Sequence, residues 1–580
     1  MHFISTVSIK NYKSIIDEDF LLSAYTPLVG YNNAGKSNVL EAIKWLVSKS
    51  SLPQGCFNDV QQAIEITGDI EGINDDILDQ LPDNHRNSIE PYINDQRLQI
   101  RRKQTEPSLS VRNINIQVWN EADEDWANNP AGIENAIKQL FPEPIEIGAM
   151  EDSAEDVSKF KTSTTIGKLI AEVMAPIEEN HSAVIAAALG ELKKKFDADG
   201  DDRAEELTQF DQDTTEKLQE LFPEIGIKLH IPAPEIKEVF KGGTLKVYEN
   251  DEGRELSAYG HGTQRSIQMA LVRHLAEVQR EAQHRVSNTL LLIDEPELYL
   301  HPQAVEQVRS ALKALSEVGY QVLFSTHSPQ MIPSEDIKHT LLIRKDAGRG
   351  TYSRKRLINA VSDVIANAAS QFELLFSLEN ANAILFSEKV LLTEGKTEKK
   401  LLPHLYLIHH SKTLGQDKLA LVGQGGVDNT SKAISVLAAM DLPCKAVVDL
   451  DFAFRGAVTN GLINADDQNL EICKKKFNEN NDISLSENGL PQKGGQLSAP
   501  QAYKWLAEQN DVQDAIQALH LALRENNIWL WKKGAIEEHL GLAAKNEHAW
   551  ATFKQRLDDE DFGTVITDPD VIEMLNWISE

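Results

Sequence analysis

The chain has 580 residues, 41% of them hydrophobic and 25% charged, the balance of an ordinary soluble protein rather than of a disordered or fibrous one. Its formal net charge of −31 excludes indiscriminate nucleic-acid binding over the whole surface, though not a local basic groove or a metal-lined site that offsets phosphate charge. No run of about 18 apolar residues exists, so no transmembrane helix and no membrane partner are expected; the N-terminus reads as no signal peptide, and the three scattered cysteines, Cys56, Cys444 and Cys473, read as reduced thiols of a cytoplasmic protein.

The length implies about two to four domains. Residues 1–30 alternate (Phe3, Val7, Ile9) and turn through Asp17-Glu18-Asp19, which predicts strands leading into Gly30-Tyr31-Asn32-Asn33-Ala34-Gly35-Lys36-Ser37. That stretch has the form G-x-x-x-x-G-K-[ST]. Gly30 and Gly35 let the backbone curl so that its N–H groups face phosphate oxygens, Lys36 reaches the β- and γ-phosphates, and Ser37 ligates Mg²⁺. Asn38 to Val47 is predicted as a helix whose N-terminus faces the phosphates. Asn32, Asn33 and Asn38 join the residues assigned to ATP.

Residues 60–147 carry short alternating runs (Ala63 to Ile70, Leu98 to Arg102, Leu109 to Val118) that predict a mainly antiparallel sheet. Phe141-Pro142-Glu143-Pro144-Ile145-Glu146-Ile147 is expected to be extended, its prolines barring a helix. From 163 to 222 the spacing turns helical (Ile166, Ile170, Val173, Met174), with a break expected at Pro176 and the helix resuming over Val184 to Phe196. This block is either a cover or a dimerisation arm, and dimerisation is the favoured role; no heptad array marks a long coiled coil. Three basic runs, Arg101-Arg102-Lys103, Arg354-Lys355-Arg356 and Lys474-Lys475-Lys476, are each expected to be a solvated face more often than a DNA contact.

Residues 224–345 return to an α/β pattern. Leu290-Leu291-Leu292-Ile293-Asp294-Glu295 is a buried strand ending in two carboxylates. Asp294 would hold Mg²⁺ and Glu295 would polarise the attacking water. A second apolar strand, Gln321 to Ser325, ends near His327, placed to sense the γ-phosphate. Between them, Ser257, Gly260 and Gly262 precede a helix and form an anion-binding cap. These four motifs, in this order, resemble the ABC-type ATPase head of the SMC and RecF-like group. The resemblance implies that the cap residues contact the ATP of an opposite protomer, although the usual signature is replaced here and no glutamine is assigned to the Q-loop.

Residues 346–385 read as a connector with a turn at Ala347-Gly348-Arg349-Gly350, and a second α/β domain starts near Ser387. In it, Val390-Leu391-Leu392-Thr393-Glu394-Gly395-Lys396-Thr397-Glu398 predicts a strand, a terminal glutamate and a helix that lets Glu394 and Glu398 face one another. Ala446-Val447-Val448-Asp449-Leu450-Asp451 follows, and in a strand Asp449 and Asp451 would share a side. Four carboxylates at two strand ends make an oxygen-ligand site for divalent metal, and two metals there can activate water and stabilise a phosphodiester leaving oxygen. Residues 477–500 are expected to be a flexible loop. Downstream of Trp529-Leu530-Trp531, Lys533 is assigned to the scissile phosphate and Glu537 to a metal.

Glu-Gly-x-x-x-Glu followed by Asp-x-Asp resembles the Toprim fold of topoisomerases, primases and old-family nucleases. An ATPase head followed directly by a Toprim domain is the layout of the overcoming-lysogenization-defect (OLD) nucleases, stand-alone class 1 branch, and the likeness spans essentially the whole chain. It implies an α/β protein: an ABC ATPase in two parts (1–150 and 236–345), a helical insertion (151–235), a linker (346–386) and a Toprim domain (387–580). It also implies ATP, Mg²⁺- or Mn²⁺-dependent endonuclease or exonuclease action on DNA, a homodimer or larger assembly, and a role in phage exclusion or antiphage defence. A related defence nuclease shares the layout, which leaves a separately encoded helicase-like partner open. Two other functions also stay open at this stage: an ATP-dependent DNA-binding repair mediator without nuclease activity, and a phage-triggered toxin that cuts RNA or DNA with a partner.

Overall fold

The computed structural model describes residues 2–142, 144–148, 165–220, 222–232, 245–249, 252–281, 288–364, 382–423 and 430–580. Glu143 and the side chain of Ser257 lie outside the described residues, as do 149–164 and 233–244 of the predicted insertion and its flanks. The strands are, in chain order, β1 (Phe3–Tyr12), β2 (Ile15–Leu21), β3 (Tyr25–Val29), β4 (Ile64–Glu71), β5 (Leu98–Gln104), β6 (Ile116–Asn120), β7 (Asp125–Asn128), β8 (Ile145–Ile147), β9 (Lys246–Glu249), β10 (Glu252–Glu255), β11 (Thr289–Asp294), β12 (Tyr320–Thr326), β13 (Leu341–Asp346), β14 (Gly350–Ser353), β15 (Lys389–Thr393), β16 (Leu419–Gly423), β17 (Cys444–Val448) and β18 (Ile528–Leu530). The chain forms two compact units: Met1–Tyr12, Leu22–Tyr25 and Ser37–Thr326 make the first, and Lys13–Leu21, Thr26–Lys36 and His327–Glu580 the second. The boundary falls between Lys36 and Ser37, inside the glycine–lysine loop.

In the first unit, β7-β6-β5-β4-β1 form an antiparallel run, as the alternation predicts. β4 turns Ile64, Ile66 and Ile70 inward and its polar residues outward. On β5 the inward set is Leu98, Ile100, Arg102 and Gln104. The two polar side chains survive there because each makes hydrogen bonds. Arg102 Nε donates to the Leu46 carbonyl at 2.6 Å, and its guanidinium pairs with Glu134 at 3.3 Å. Gln104 holds both backbone groups of Leu52. The first basic run is therefore partly core, and Arg101 and Lys103 both pair with Glu65. Lys474 and Lys476 of the third run are likewise engaged by Glu471, Glu479 and Asp511, and Arg354 of the second by Glu388.

A parallel run β12-β11-β8 and the antiparallel pair β9-β10 complete this unit's strands. Leu290 to Ile293 are fully buried, as a strand flanked by parallel neighbours requires. The helix Thr165–Phe196 runs through Pro176 without the predicted break. A proline inside a helix costs about 3 kcal/mol, which a helix of 32 residues can absorb. The predicted turn near Asp17 is also displaced. The chain turns at Lys13-Ser14, Lys13 taking the left-handed φ of +49°, while Asp17, Glu18 and Asp19 lie within β2.

In the second unit β2-β14-β13-β3 lie side by side, β13 and β14 joined by the predicted tight turn at 347–349. A separate sheet has the order β16-β15-β17-β18, all parallel. Its connections include the helices Lys396–His410 and Thr430–Ala439. One face packs on Leu401, Leu405, Trp529, Trp531, Trp550 and Trp577, all buried. The chain leaves β15 toward β16 and then crosses back to β17, so β15 and β17 flank the point where strand order reverses. The crevice beyond the carboxyl ends of such strands is where α/β sheets place their ligands. Glu394 ends β15 and Asp449 follows β17.

Candidate active sites: the phosphate loop and the carboxylate cluster

The loop after β3 is shaped by contacts within the second unit. Gly35 has φ of +102°, and a Cβ there would lie 2.2 Å from Thr351 Oγ1, so only glycine fits. Thr351 Oγ1 donates to the Ala34 carbonyl at 2.8 Å, which pins the curl. Lys36 opens the helix Lys36–Val47, slightly earlier than predicted. Its ammonium donates to the carbonyls of Gly30 (3.1 Å) and Tyr31 (3.3 Å) and lies 2.8 Å from His327 Nε2. The predicted lysine and histidine thus meet. Tyr31, inside the loop, donates its hydroxyl to the Lys345 carbonyl, and Lys418 Nζ lies 5.2 Å from its ring centroid. Asn33 takes φ of +66°.

In the first unit Ser37 Oγ donates to Asp294 Oδ2 at 2.7 Å, and Ser325 Oγ donates to Asp294 Oδ1. A hydroxyl and a carboxylate oxygen meeting this way form a hard-oxygen donor set that suits Mg²⁺. Glu295 stands just past β11 with φ of +49°, a left-handed conformation that a non-glycine residue holds only where its surroundings impose it. Those surroundings are visible: its N–H donates to Ser325 (3.2 Å to O, 3.1 Å to Oγ), and Arg265 donates to the carbonyls of Asp294 (2.6 Å) and Glu295 (2.7 Å). Arg265 is buried on the helix His261–Glu281 that follows Gly260. Sequence reasoning passed over it, although it sits three residues after Gly262 in the capping stretch.

The second unit holds the carboxylates. Glu394, Glu398, Asp449 and Asp451 converge at the carboxyl ends of β15 and β17. The Asp449 N–H donates to Glu394 Oε2 at 3.3 Å. Glu398 lies in the first turn of the helix Lys396–His410, where the helix dipole favours a carboxylate. A Cβ at Gly395 would meet Glu398 Oε2 at 2.4 Å, so a side chain there would displace that carboxylate. Asp449 and Asp451 do not share a strand face as expected. β17 stops at Val448, Asp449 follows it and Asp451 begins the short helix Asp451–Phe454. Their convergence comes from that helical turn, not from strand alternation.

Glu537, predicted as an added ligand, is buried on the helix Ile536–Leu540 and accepts a hydrogen bond from Thr397 Oγ1. Lys533 sits elsewhere: its ammonium is 2.6 Å from Asp568. The lysine that reaches the cluster is Lys545, 3.0 Å from Glu537 Oε2 and 4.0 Å from Asp449 Oδ2. Nothing in the residues around Lys545 marks it in the sequence; only the fold of the segment after Gly541 brings it there.

Repulsion and burial show in the protonation of these acids. Burial, then Asp451 and Glu398, pushes Glu394 up to about 7. Burial and the Glu537 charge push Glu398 up to about 7. Asp449 is held well above the usual carboxylate range by burial and by Glu398 and Glu394, and Asp451 is raised by burial against the pull of Arg455. Oxygen donors that resist ionising together are the set a divalent cation relieves.

The shifts fix a sign. Glu394 and Glu398 bind protons more tightly folded, near 7, than at their ordinary 4.5. Their contribution to stability is full below the unfolded value and is lost as pH rises through about 7. A metal competes with the same protons, so its affinity rises over that window. In EDTA the melting temperature of the carboxylate-bearing unit is expected to fall between about pH 5 and about pH 8. Saturating Mg²⁺ should restore about 5–10 °C at the upper end and little at the lower. Scanning calorimetry with and without Mg²⁺ checks this, and a metal effect independent of pH would disconnect the cluster from metal.

A phosphate loop, an acidic strand end, and a carboxylate cluster at the reversal point of a small parallel sheet are the marks of an ATPase joined to a Toprim phosphodiesterase. Comparison with known proteins agrees. Residues 3–332 match the model of the AAA ATPase domain, and residues 385–451 match that of the overcoming lysogenization defect protein-like TOPRIM domain. The Old nuclease of Escherichia phage P2 is 35% identical over 99% of both chains. The OLD nuclease of Thermus scotoductus is 24% identical, covering 77% of this chain and 82% of its own. Among solved structures, an SMC head bound to the C-terminal winged-helix domain of ScpA covers 62% of this chain and 99% of its own, at 14% identity and a TM-score of 0.37. The chain belongs to the OLD nuclease family. It is an ATPase and a nuclease that uses a nucleotide and a divalent metal. No helix among the described residues is long and apolar enough to cross a membrane.

Proposed function

We propose that this protein is an ATP-regulated endonuclease or exonuclease that cuts DNA in the cytoplasm, in phage exclusion or antiphage defence. The observation that carries the proposal is the convergence of Glu394, Glu398, Asp449 and Asp451 with buried Glu537 beside Lys545. In this proposal the carboxylates hold one or two Mg²⁺ or Mn²⁺ ions, which supply Lewis-acid stabilisation and an activated water when bound. Lys545 offsets the charge that phosphate brings; Lys533, whose ammonium is paired with Asp568, would have to leave that pair to do the same.

For ATP, Lys36 and His327 would meet the phosphates, together with Gly30, Asn32, Asn33 and Gly35; Ser37 and Asp294 would take the Mg²⁺, with Asn38 beside them, and Glu295 would orient water. Ser257, Gly260 and Gly262 would cap the nucleotide of a second protomer. The domains proposed are 1–150 and 236–345 for the ATPase, 151–235 for dimerisation, 346–386 for the linker and 387–580 for the nuclease. Dimerisation is supported by exposed Val184, Phe210, Phe222, Ile225, Ile227 and Ile231 around the two helices Thr165–Phe196 and Glu205–Gln219. Such a concentration of apolar side chains favours a partner surface.

The test is cleavage of supercoiled and linear DNA with Mg²⁺ or Mn²⁺, with and without ATP. Metal-dependent strand breaks are expected with the purified homo-oligomer alone. Breaks that appear only with an infected-cell extract would instead favour a separately encoded partner or trigger.

A further inference from the structure

Beyond the carboxylates lies a trio, buried His539 and Asp568 with half-buried Asp570, that no step above uses. One donor atom from each lies close enough to the others to share a metal ion. The contacts argue against that use. His539 Nε2 accepts the Lys533 backbone N–H at 3.0 Å, which leaves the proton on Nδ1, 2.8 Å from Asp568 Oδ2. Asp568 Oδ2 also takes the Lys533 ammonium at 2.6 Å, and its Oδ1 accepts the Asp570 N–H at 3.1 Å. Asp570 takes the Lys532 ammonium at 2.9 Å. Both imidazole nitrogens are engaged and both carboxylates already hold a cation.

What these contacts grip is the segment 531–534. The Trp531 N–H donates to the Val448 carbonyl at 3.0 Å, and the Gly534 carbonyl accepts the Leu450 N–H at 2.7 Å. The two bonds straddle Asp449. The same segment leads into the helix Ile536–Leu540, which carries both Glu537 and His539. His539 is completely enclosed, with its side chain 0% exposed, so its two bonds are shielded from water.

We propose that His539 and Asp568 are positioning residues for the metal-binding carboxylates: they hold 531–534 so that it clamps the backbone on both sides of Asp449 and aims Glu537. This rests on the carboxylate cluster being the metal site. An outer partner of this kind orients ligands and tunes affinity without touching the ion.

The test is Mn²⁺ binding by titration calorimetry on the full chain, with ATP hydrolysis and melting temperature as checks of folding. Asp568→Asn keeps the shape and loses the charge. His539→Leu loses both bonds, whereas His539→Gln can still accept at one atom and donate at the other. Asp568→Asn and His539→Leu are expected to weaken Mn²⁺ binding about 10- to 100-fold at unchanged stoichiometry, with His539→Gln recovering most of the loss. If His539→Leu does not fold, the isosteric Asp568→Asn decides. Wild-type Mn²⁺ affinity in Asp568→Asn would overturn the clamp. The loss of one bound ion with the rest unaffected would overturn it too, by making the trio a metal site. Mn²⁺ binding unaltered in Asp449→Asn would overturn the underlying site assignment instead.

Discussion

Asp449→Asn is expected to eliminate strand cleavage while ATP hydrolysis continues. Asparagine has the volume of aspartate and keeps the backbone N–H that donates to Glu394. What it removes is one anionic oxygen donor from a cluster in which Glu398, Glu394 and Asp451 all bear on Asp449. Loss of a partner that only orients a ligand already costs about 10–100-fold, so loss of a central ligand should exceed that. Stability should move the other way. Asp449 is buried among like charges, and neutralising it relieves repulsion in the metal-free protein. A variant that melts at a higher temperature in EDTA, responds less to Mg²⁺ and does not cut DNA would match a residue placed for metal rather than for folding. A variant that still cuts would move the chemistry away from this cluster. ATP hydrolysis serves as the internal control because Lys36, Asp294 and Glu295, not Asp449, are the residues assigned to ATP.

How far the sequence reached follows from where its information lies. The glycine–lysine loop, the acidic end of β11 and the Glu394–Glu398 pair were legible because each is a local pattern: a strand, a turn and a helix start, with the functional atoms fixed by spacing. The antiparallel pair β4 and β5 was legible for the same reason, since alternation is a property of single strands, but of the run Leu109 to Val118 only the end from Ile116 is strand, Val111–Asn113 forming a tight helical turn. The missed features depend on other elements. Pro176 predicts a break by local rules, and the helix is continuous all the same. Asp449 and Asp451 were assigned to one strand face, but β17 ends a residue early and a helical turn does the work. Arg102 reads as part of a basic surface run, yet the inward face of β5 buries it against Glu134. Lys545, not the expected Lys533, reaches the carboxylates, because the lysine nearer the tryptophan strand is held by Asp568. Each of these turns on tertiary neighbours that one window of sequence does not contain.

Glu295→Gln is expected to lower ATP hydrolysis about 10²- to 10⁴-fold, the usual contribution of a positioned general base, with ATP binding retained. Glutamine keeps the hydrogen-bonding shape, and the contacts that impose the left-handed backbone, from Arg265 and Ser325, involve main-chain atoms of residue 295. The nucleotide should therefore bind and stay. That makes the variant a probe of coupling. In the second unit the phosphate loop already touches residues that lead to the carboxylate sheet. Lys418, just before β16, lies over the Tyr31 ring, and Arg344 on β13 holds the Leu385 and Ser387 carbonyls and pairs with Glu388, just before β15. A phosphate that rearranges the carbonyls of Gly30 and Tyr31, which Lys36 now holds, would move Tyr31 against that junction. Bound ATP, rather than its turnover, is then the expected signal. Rates of DNA cleavage by Glu295→Gln with and without ATP decide between the two: a change on adding ATP as large as in the wild type assigns control to occupancy, and no change assigns it to hydrolysis.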